Sequence, residues 1–132
     1  MDNLTVLQAK RYGIYSCKSE STLVYAAQLM VQEDVSGLVV VDQDEYLAGI
    51  ITRTDLLRAF QTTPAWRNLK VSDYMNTQVV TVTPHDHLEH VAGLLIAHQI
   101  HRVVIVEVEG GKKRPIGVIS DADIVFHMTR TF

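Results

Sequence analysis

Gly49-Ile50-Ile51-Thr52-Arg53-Thr54-Asp55-Leu56 and Gly117-Val118-Ile119-Ser120-Asp121-Ala122-Asp123-Ile124 are two versions of one pattern. A glycine leads a short β-branched run, a hydroxyl residue closes it, and an aspartate stands three positions beyond. Each predicts a strand running into a helix. The copies are offset by 117 − 49 = 68, and the repetition continues upstream with a smaller offset. Ser21-Thr22-Leu23-Val24-Tyr25-Ala26-Ala27-Gln28-Leu29-Met30 lies over Asp86-His87-Leu88-Glu89-His90-Val91-Ala92-Gly93-Leu94-Leu95, where 86 − 21 = 65. Apolar residues at 23, 26, 27 and 30, and again at 88, 91, 92 and 95, predict one buried helical face each. Ser21 and Asp86 stand where N-caps are expected. Gly37 to Asp42 overlies Arg102 to Glu107, two runs rich in β-branched residues that predict strands buried on both faces. The offset then grows because the turn Glu109 to Arg114 is longer than Gln43 to Tyr46, as insertions in surface loops do. Ile14 to Lys18 matches Val79 to Thr83 as a first extended segment.

Each copy therefore reads β-α-β-β-α, an α+β arrangement. Units this small are marginal by themselves, so an intertwined pair sharing one interior is expected. The expected organisation is an N-terminal segment over 1–13 that adds a short helix against the second unit, a first repeat over 14–60, a linker over 61–73 and a second repeat over 74–132. The linker, with Pro64 and Trp66, is expected to run along the surface with the Trp ring packed down.

Composition narrows the function. With 132 residues, 47% hydrophobic and 20% charged, the chain is of ordinary globular type. Cys17 is the single cysteine, so no internal disulfide forms, and its place in a predicted strand makes it a buried inert thiol. A net charge of −3 argues against gripping nucleic acid or an anionic membrane. The chain has no apolar run of transmembrane length and no secretory pattern in Met1 to Gly13, so a cytoplasmic location is expected. No phosphate loop, dinucleotide fingerprint or nucleophile motif is present, and an enzyme is not expected. Asp42-Gln43-Asp44 starts like a calcium loop, but Leu47 and Arg53 occupy the positions that need Gly and Glu. His85, His87, His90, His98 and His101 crowd the second repeat without the spacing of a metal motif, and no metal site is expected.

What remains is Thr52-x-x-Asp55 and its echo Ser120-x-x-Asp123. A hydroxyl at the N-cap with an acid three residues on is close to a capping box, which needs no ligand. The same short carboxylate at a helix start can accept two hydrogen bonds from the vicinal diol of a ribose, and the two readings can coexist. For phosphate the candidates are Arg53 in the first repeat and His101 with Arg102 in the second. Asp121 stands at the position of Arg53, and Ser36 and Gly37 at those of His101 and Arg102, so the two sites should not be equivalent.

At these residues the chain resembles the cystathionine β-synthase (CBS) domain pair. The resemblance runs from about Ile14 to Thr129 and is carried by Val71-Ser72-Asp73-Tyr74-Met75, Val79 to Pro84, the two Gly-x-x-[Ser/Thr]-x-x-Asp segments and His101-Arg102-Val103-Val104-Ile105-Val106. It implies two repeats packed through their sheets with pseudo-two-fold symmetry and two clefts that take AMP, ADP, ATP or S-adenosylmethionine. By motif position, Asp55 and Asp123 would hold ribose hydroxyls, Thr52 and Ser120 would contact ribose or phosphate, and His101-Arg102 would contact phosphate. Thr83 would lie beside the base, with Val35 and Ile100 as walls; the first repeat has Lys18-Ser19 in place of Thr83-Pro84. Such pairs dimerise, and Leu56, Leu57 and Phe60 on one helix match Ile124, Val125 and Met128 on the other, with Phe126 beside them, so a homodimer is expected. The implied function is a regulatory module that binds an adenosine-containing molecule, requires no cofactor and signals by changed packing to an effector protein. The competing reading is a ligand-free dimerisation or interaction module.

Overall fold

The structure, a computed structural model, describes residues 4–130; the outermost residues of the two expected end segments, 1–3 and 131–132, lie outside the described residues. In chain order the elements are α1 (Val6–Ala9), β1 (Ser16–Lys18), α2 (Leu23–Glu33), β2 (Gly37–Val41), β3 (Leu47–Thr52), α3 (Arg53–Thr62), β4 (Thr81–Val82), α4 (Leu88–His98), β5 (Arg102–Glu109), β6 (Lys112–Ser120) and α5 (Asp121–Met128). Short 3-10 turns at Trp66–Asn68 and Val71–Asp73 join α3 to β4. The chain is mixed α+β with two three-stranded sheets, ordered β1-β2-β3 and β4-β5-β6.

Two compact units result. One runs Tyr15–Val79, and the other joins the N-terminal residues up to Ile14 to the segment from Val80 onward. In the first, β1 pairs parallel with β2 and β2 antiparallel with β3. The second repeats this with β4, β5 and β6, and the register slips at the same place in both, between Val40 and Val41 and between Ile105 and Val106. The first core gathers Leu23, Ala26 and Met30 from α2, Leu38, Val40 and Ile51 from the sheet and Ala59 from α3. The second gathers Leu88, Val91 and Leu95 from α4, Val103, Ile105 and Ile119 from the sheet and Ile124 from α5. These are the apolar faces the spacing predicts. On the other pleat of the central strands Val39, Val41, Val104 and Val106 are buried as well, so both strands are covered on both faces.

The helices start one residue later than the sequence suggests. The N-caps of α2 and α4 are Thr22 and His87, and Thr22 Oγ1 accepts from Tyr25 N. Ser21 and Asp86 instead close the preceding turn: Lys18 N donates to Ser21 Oγ at 3.2 Å and Thr83 N to Asp86 Oδ2 at 2.8 Å. A short polar side chain serves either position, and the backbone path decides which.

The segments preceding the repeats are structured. The linker carries Trp66 as expected, partly buried and edge-on to Phe60 at 6.2 Å, but it also buries Val71 completely in the first core. Val6 and Ala9 of α1 are equally buried in the second core. These two segments are themselves a repeat at the 65-residue offset (71 − 6 = 65). Val6 N donates to Asp86 O and Val71 N to Ser21 O, both at 2.8 Å. Each then crosses the glycine of the site motif: a Cβ built at Gly49 would lie 2.8 Å from Asn76 O, and one at Gly117 2.9 Å from Lys10 Cδ.

Candidate functional site

Both repeats start their last helix with the same device. Thr52 N and the Thr52 hydroxyl donate to one oxygen, Asp55 Oδ2, at 2.8 and 3.0 Å. Ser120 N and the Ser120 hydroxyl donate to Asp123 Oδ2 at 2.9 and 3.2 Å, and Asp123 N donates back to Ser120 Oγ at 3.3 Å. The capping reading therefore holds for Oδ2, which satisfies a backbone donor and lies favourably at the helix start. Asp55 and Asp123 are the buried charged side chains among the described residues, 8% and 5% exposed.

The second oxygen of each carboxylate is not used by the cap. Asp55 Oδ1 faces Arg58 Nη1 at 3.3 Å, and Asp123 Oδ1 faces Arg11 Nε at 2.8 Å. Each aspartate thus divides its labour: one oxygen holds the helix start and the other meets an arginine side chain. Neither arginine was among the sequence candidates. Arg58 was legible as an i,i+3 partner of Asp55. Arg11 meets Asp123 across 112 positions, and no spacing in the sequence pointed to it.

The phosphate candidates sit near the helix starts. Arg53 is the first residue of α3; its amide donates to Ser36 O at 3.0 Å, and its exposed guanidinium lies 3.8 Å from Asp34. In the second repeat Asp121 N donates to His101 O at 2.9 Å, and the Asp121 carboxylate meets His101 Nδ1 at 2.9 Å, so the acid that stands at the position of Arg53 pairs with the imidazole. Arg102 opens β5 directly opposite Ser120 in the ladder, at the end of the sheet that carries the cap.

Thr83 is not brought to this end. Because β4 runs parallel to β5, with Val82 level with Ile105, Thr83 falls level with Val106, four residues along from Arg102. At 3.3 Å per residue that is about 13 Å away. Its hydroxyl donates to Asp86 Oδ2 at 3.2 Å in the turn before α4. A parallel strand ends where its neighbour ends, not where that neighbour begins, so Thr83 lies away from the end of the second sheet that carries Arg102 and Ser120. The matching end of the first sheet holds a hollow of about 500 Å³ lined by Lys18, Ser21, Thr22, Tyr25 and Glu45 among others. Lys18 pairs with Glu45 there, and Glu20 with Lys70 at 2.8 Å, which raises the Lys70 pKa. Cys17 lies below it as a buried free thiol, and burial pushes its pKa from 9.0 to about 11.

Among the described residues no cluster of His, Cys, Asp or Glu is arranged to hold a metal, and no helix is long and apolar enough to cross a membrane.

Comparison with known proteins follows the same doubling. The chain is 33% identical over 125 residues to an inosine-5'-monophosphate dehydrogenase of Nitrosopumilus maritimus, a match covering 90% of this chain but 24% of that protein. It is 33% identical over 105 residues to the CBS domain-containing protein YhcV of Bacillus subtilis, covering 78% of this chain and 70% of that one. Among solved structures, the CBS domain pair of protein MJ0100 in complex with 5'-methylthioadenosine and S-adenosyl-L-methionine superposes with a TM-score of 0.84 at 21% identity, over 96% of this chain and 97% of that one. The CBS domain model matches twice, over residues 10–62 and 71–130, and the chain belongs to the CBS domain family as a tandem pair.

Proposed function

We propose that this chain is a regulatory module that binds an adenosine-containing molecule, a nucleotide or S-adenosylmethionine, through its two helix-start aspartates. The observation that carries this reading is the divided carboxylate. In both repeats one oxygen is committed to the cap while the other faces a guanidinium. The hydroxyls of a ribose are donors that can take that second place. Thr52 and Ser120 border the same carboxylates, Arg53, His101 and Arg102 supply the positive charge for a phosphate, and Thr83, away from the Arg102 end of its sheet, is left as a contact for the base. The adenosine ligands of the MJ0100 pair, which shares this fold, support the ligand class. For binding to regulate an effector, the ligand must prefer one conformation of the module over another.

Calorimetric titration with AMP, ATP and S-adenosylmethionine tests the reading on wild type, Asp55→Ala and Asp123→Ala. Binding should weaken in at least one variant, and wild-type binding that both variants leave unchanged would remove the assignment. Arg102→Ala should weaken AMP while sparing adenosine; equal loss for both would make Arg102 a structural residue.

A separate observation supports self-association. Leu57 and Phe60 on α3 are 64% and 66% exposed, and Val125 and Met128, at the matching places on α5, are 56% and 55% exposed. Leu56 and Ile124 turn inward instead. Apolar residues left outside at equivalent positions fit coverage by a second copy. Leu57→Lys combined with Val125→Lys should shift the mass in light scattering from dimer to monomer. A wild-type protein that is monomeric at high concentration would refute this, as would a dimer the two lysines leave intact.

A further inference from the structure

The two carboxylates are each met by one guanidinium, but from opposite sources. Position 76, just past the linker, corresponds to position 11 in the N-terminal segment (76 − 11 = 65), and position 126 on α5 to position 58 on α3 (126 − 58 = 68). In the first repeat the helix supplies Arg58 and the segment after the linker has Asn76, whereas in the second the N-terminal segment supplies Arg11 and the helix has Phe126.

The consequence is a difference in how firmly each site is covered. Arg58 lies in the same helix as Asp55, its contact is long at 3.3 Å and its side chain is 70% exposed. It can swing into water without moving anything else. Arg11 is 26% exposed, lies 2.8 Å from Asp123 and sits over two rings, at 4.7 Å from Phe126 and 5.0 Å from Tyr12. The segment that carries it is anchored just before Arg11. Val6 and Ala9 are buried, and His127 Nε2 lies 2.8 Å from Ala9 O. Release of Arg11 from Asp123 gives up a short ion pair and two ring contacts, whereas release of Arg58 from Asp55 gives up one long contact.

We propose that Arg11 is a built-in competitor for the second site: it occupies the Asp123 oxygen that a ribose hydroxyl would take, so Asp55 fills first and Asp123 fills only as the N-terminal segment lets go. This inference rests on the ribose reading above. It makes the N-terminal segment the part of the second unit that reports occupancy, because a ligand that binds there must prefer the released form.

AMP is the probe. Its affinity is measured calorimetrically for wild type, Asp55→Ala, Asp55→Ala with Arg11→Met, and Asp55→Ala with Arg11→Lys; the Asp55 substitution isolates the second site. Circular dichroism melts establish that each protein is folded. Methionine keeps an apolar stem over Phe126 but makes no charge-assisted bond, so it should tighten AMP by about tenfold, the ratio that ~1.4 kcal/mol represents. Lysine, which keeps the charge, should fall between. In the wild type, AMP should accelerate tryptic cleavage after Arg11. Affinity unchanged or weakened by Arg11→Met overturns the inference while the ribose reading stands. The same holds if Asp55→Ala abolishes binding and Arg11→Met does not restore it. Absence of AMP binding in all four proteins removes the ribose reading itself, and this inference with it.

Discussion

Replacing Gly49 by alanine should cost stability, while the same change at Gly117 should not, although the two glycines occupy one position of the repeat. At Gly49 the added Cβ would lie 2.8 Å from Asn76 O and 2.9 Å from Met75 Sδ. The thioether can rotate away, but the carbonyl is held. Ile50 N donates to Asn76 O at 2.9 Å and Asn76 N to Ile50 O at 2.8 Å, so the segment at Asn76 must lift and stretch both bonds. Overpacking of this kind costs about 1–3 kcal/mol, offset by about 0.4–1 kcal/mol from the stiffer unfolded chain. The net loss is about 1–2 kcal/mol. At Gly117 the Cβ would meet Lys10 Cδ at 2.9 Å, Ile105 Cδ1 at 3.2 Å and Lys10 Cε at 3.3 Å. The end of a lysine moves freely, so the clash roughly cancels against the entropic gain, leaving a change within about 0.5 kcal/mol. Urea unfolding checks both by circular dichroism and by the fluorescence of Trp66, the single tryptophan, which lies in the unit containing Gly49. A neutral Gly49→Ala, or a Gly117→Ala as damaging, would refute the claim that a fixed carbonyl, rather than the position in the repeat, sets the cost.

Two further outcomes are expected. Gln99 caps α4 in the left-handed region, with φ 55°, and is exposed, so Gln99→Gly should raise stability by about 0.5–1 kcal/mol in the same urea assay. For Cys17, burial raises the pKa from 9.0 to about 11. At pH 8 roughly one molecule in a thousand then carries the thiolate, and iodoacetamide should react far more slowly with folded than with urea-unfolded protein. The sign for stability follows. Between about pH 9 and pH 11 the unfolded chain sheds the thiol proton while the folded chain keeps it, so this group's contribution is intact below pH 9 and falls as pH rises toward 11.

The sequence by itself determined the doubled strand-helix pattern, the strands buried on both faces and the capping role of Asp55 and Asp123, because these depend on residues within a turn or two of one another. Periodicity separates inside from outside, and a cap needs a hydroxyl and an acid three positions apart. The same local view fails where two nearby groups compete for one task, as when Ser21 and Asp86 close turns and leave the caps to Thr22 and His87. Strand direction carried the information that separates Thr83 from Arg102, since parallel pairing sends the end of β4 away from the start of β5. Only the tertiary structure decided which arginine meets which aspartate. Arg58 and Arg11 are chemically alike, and one lies three residues from its carboxylate and the other 112. A contact of the second kind exists because buried Val6 and Ala9 hold the segment in place, and no spacing along the chain encodes where such an anchor comes to rest.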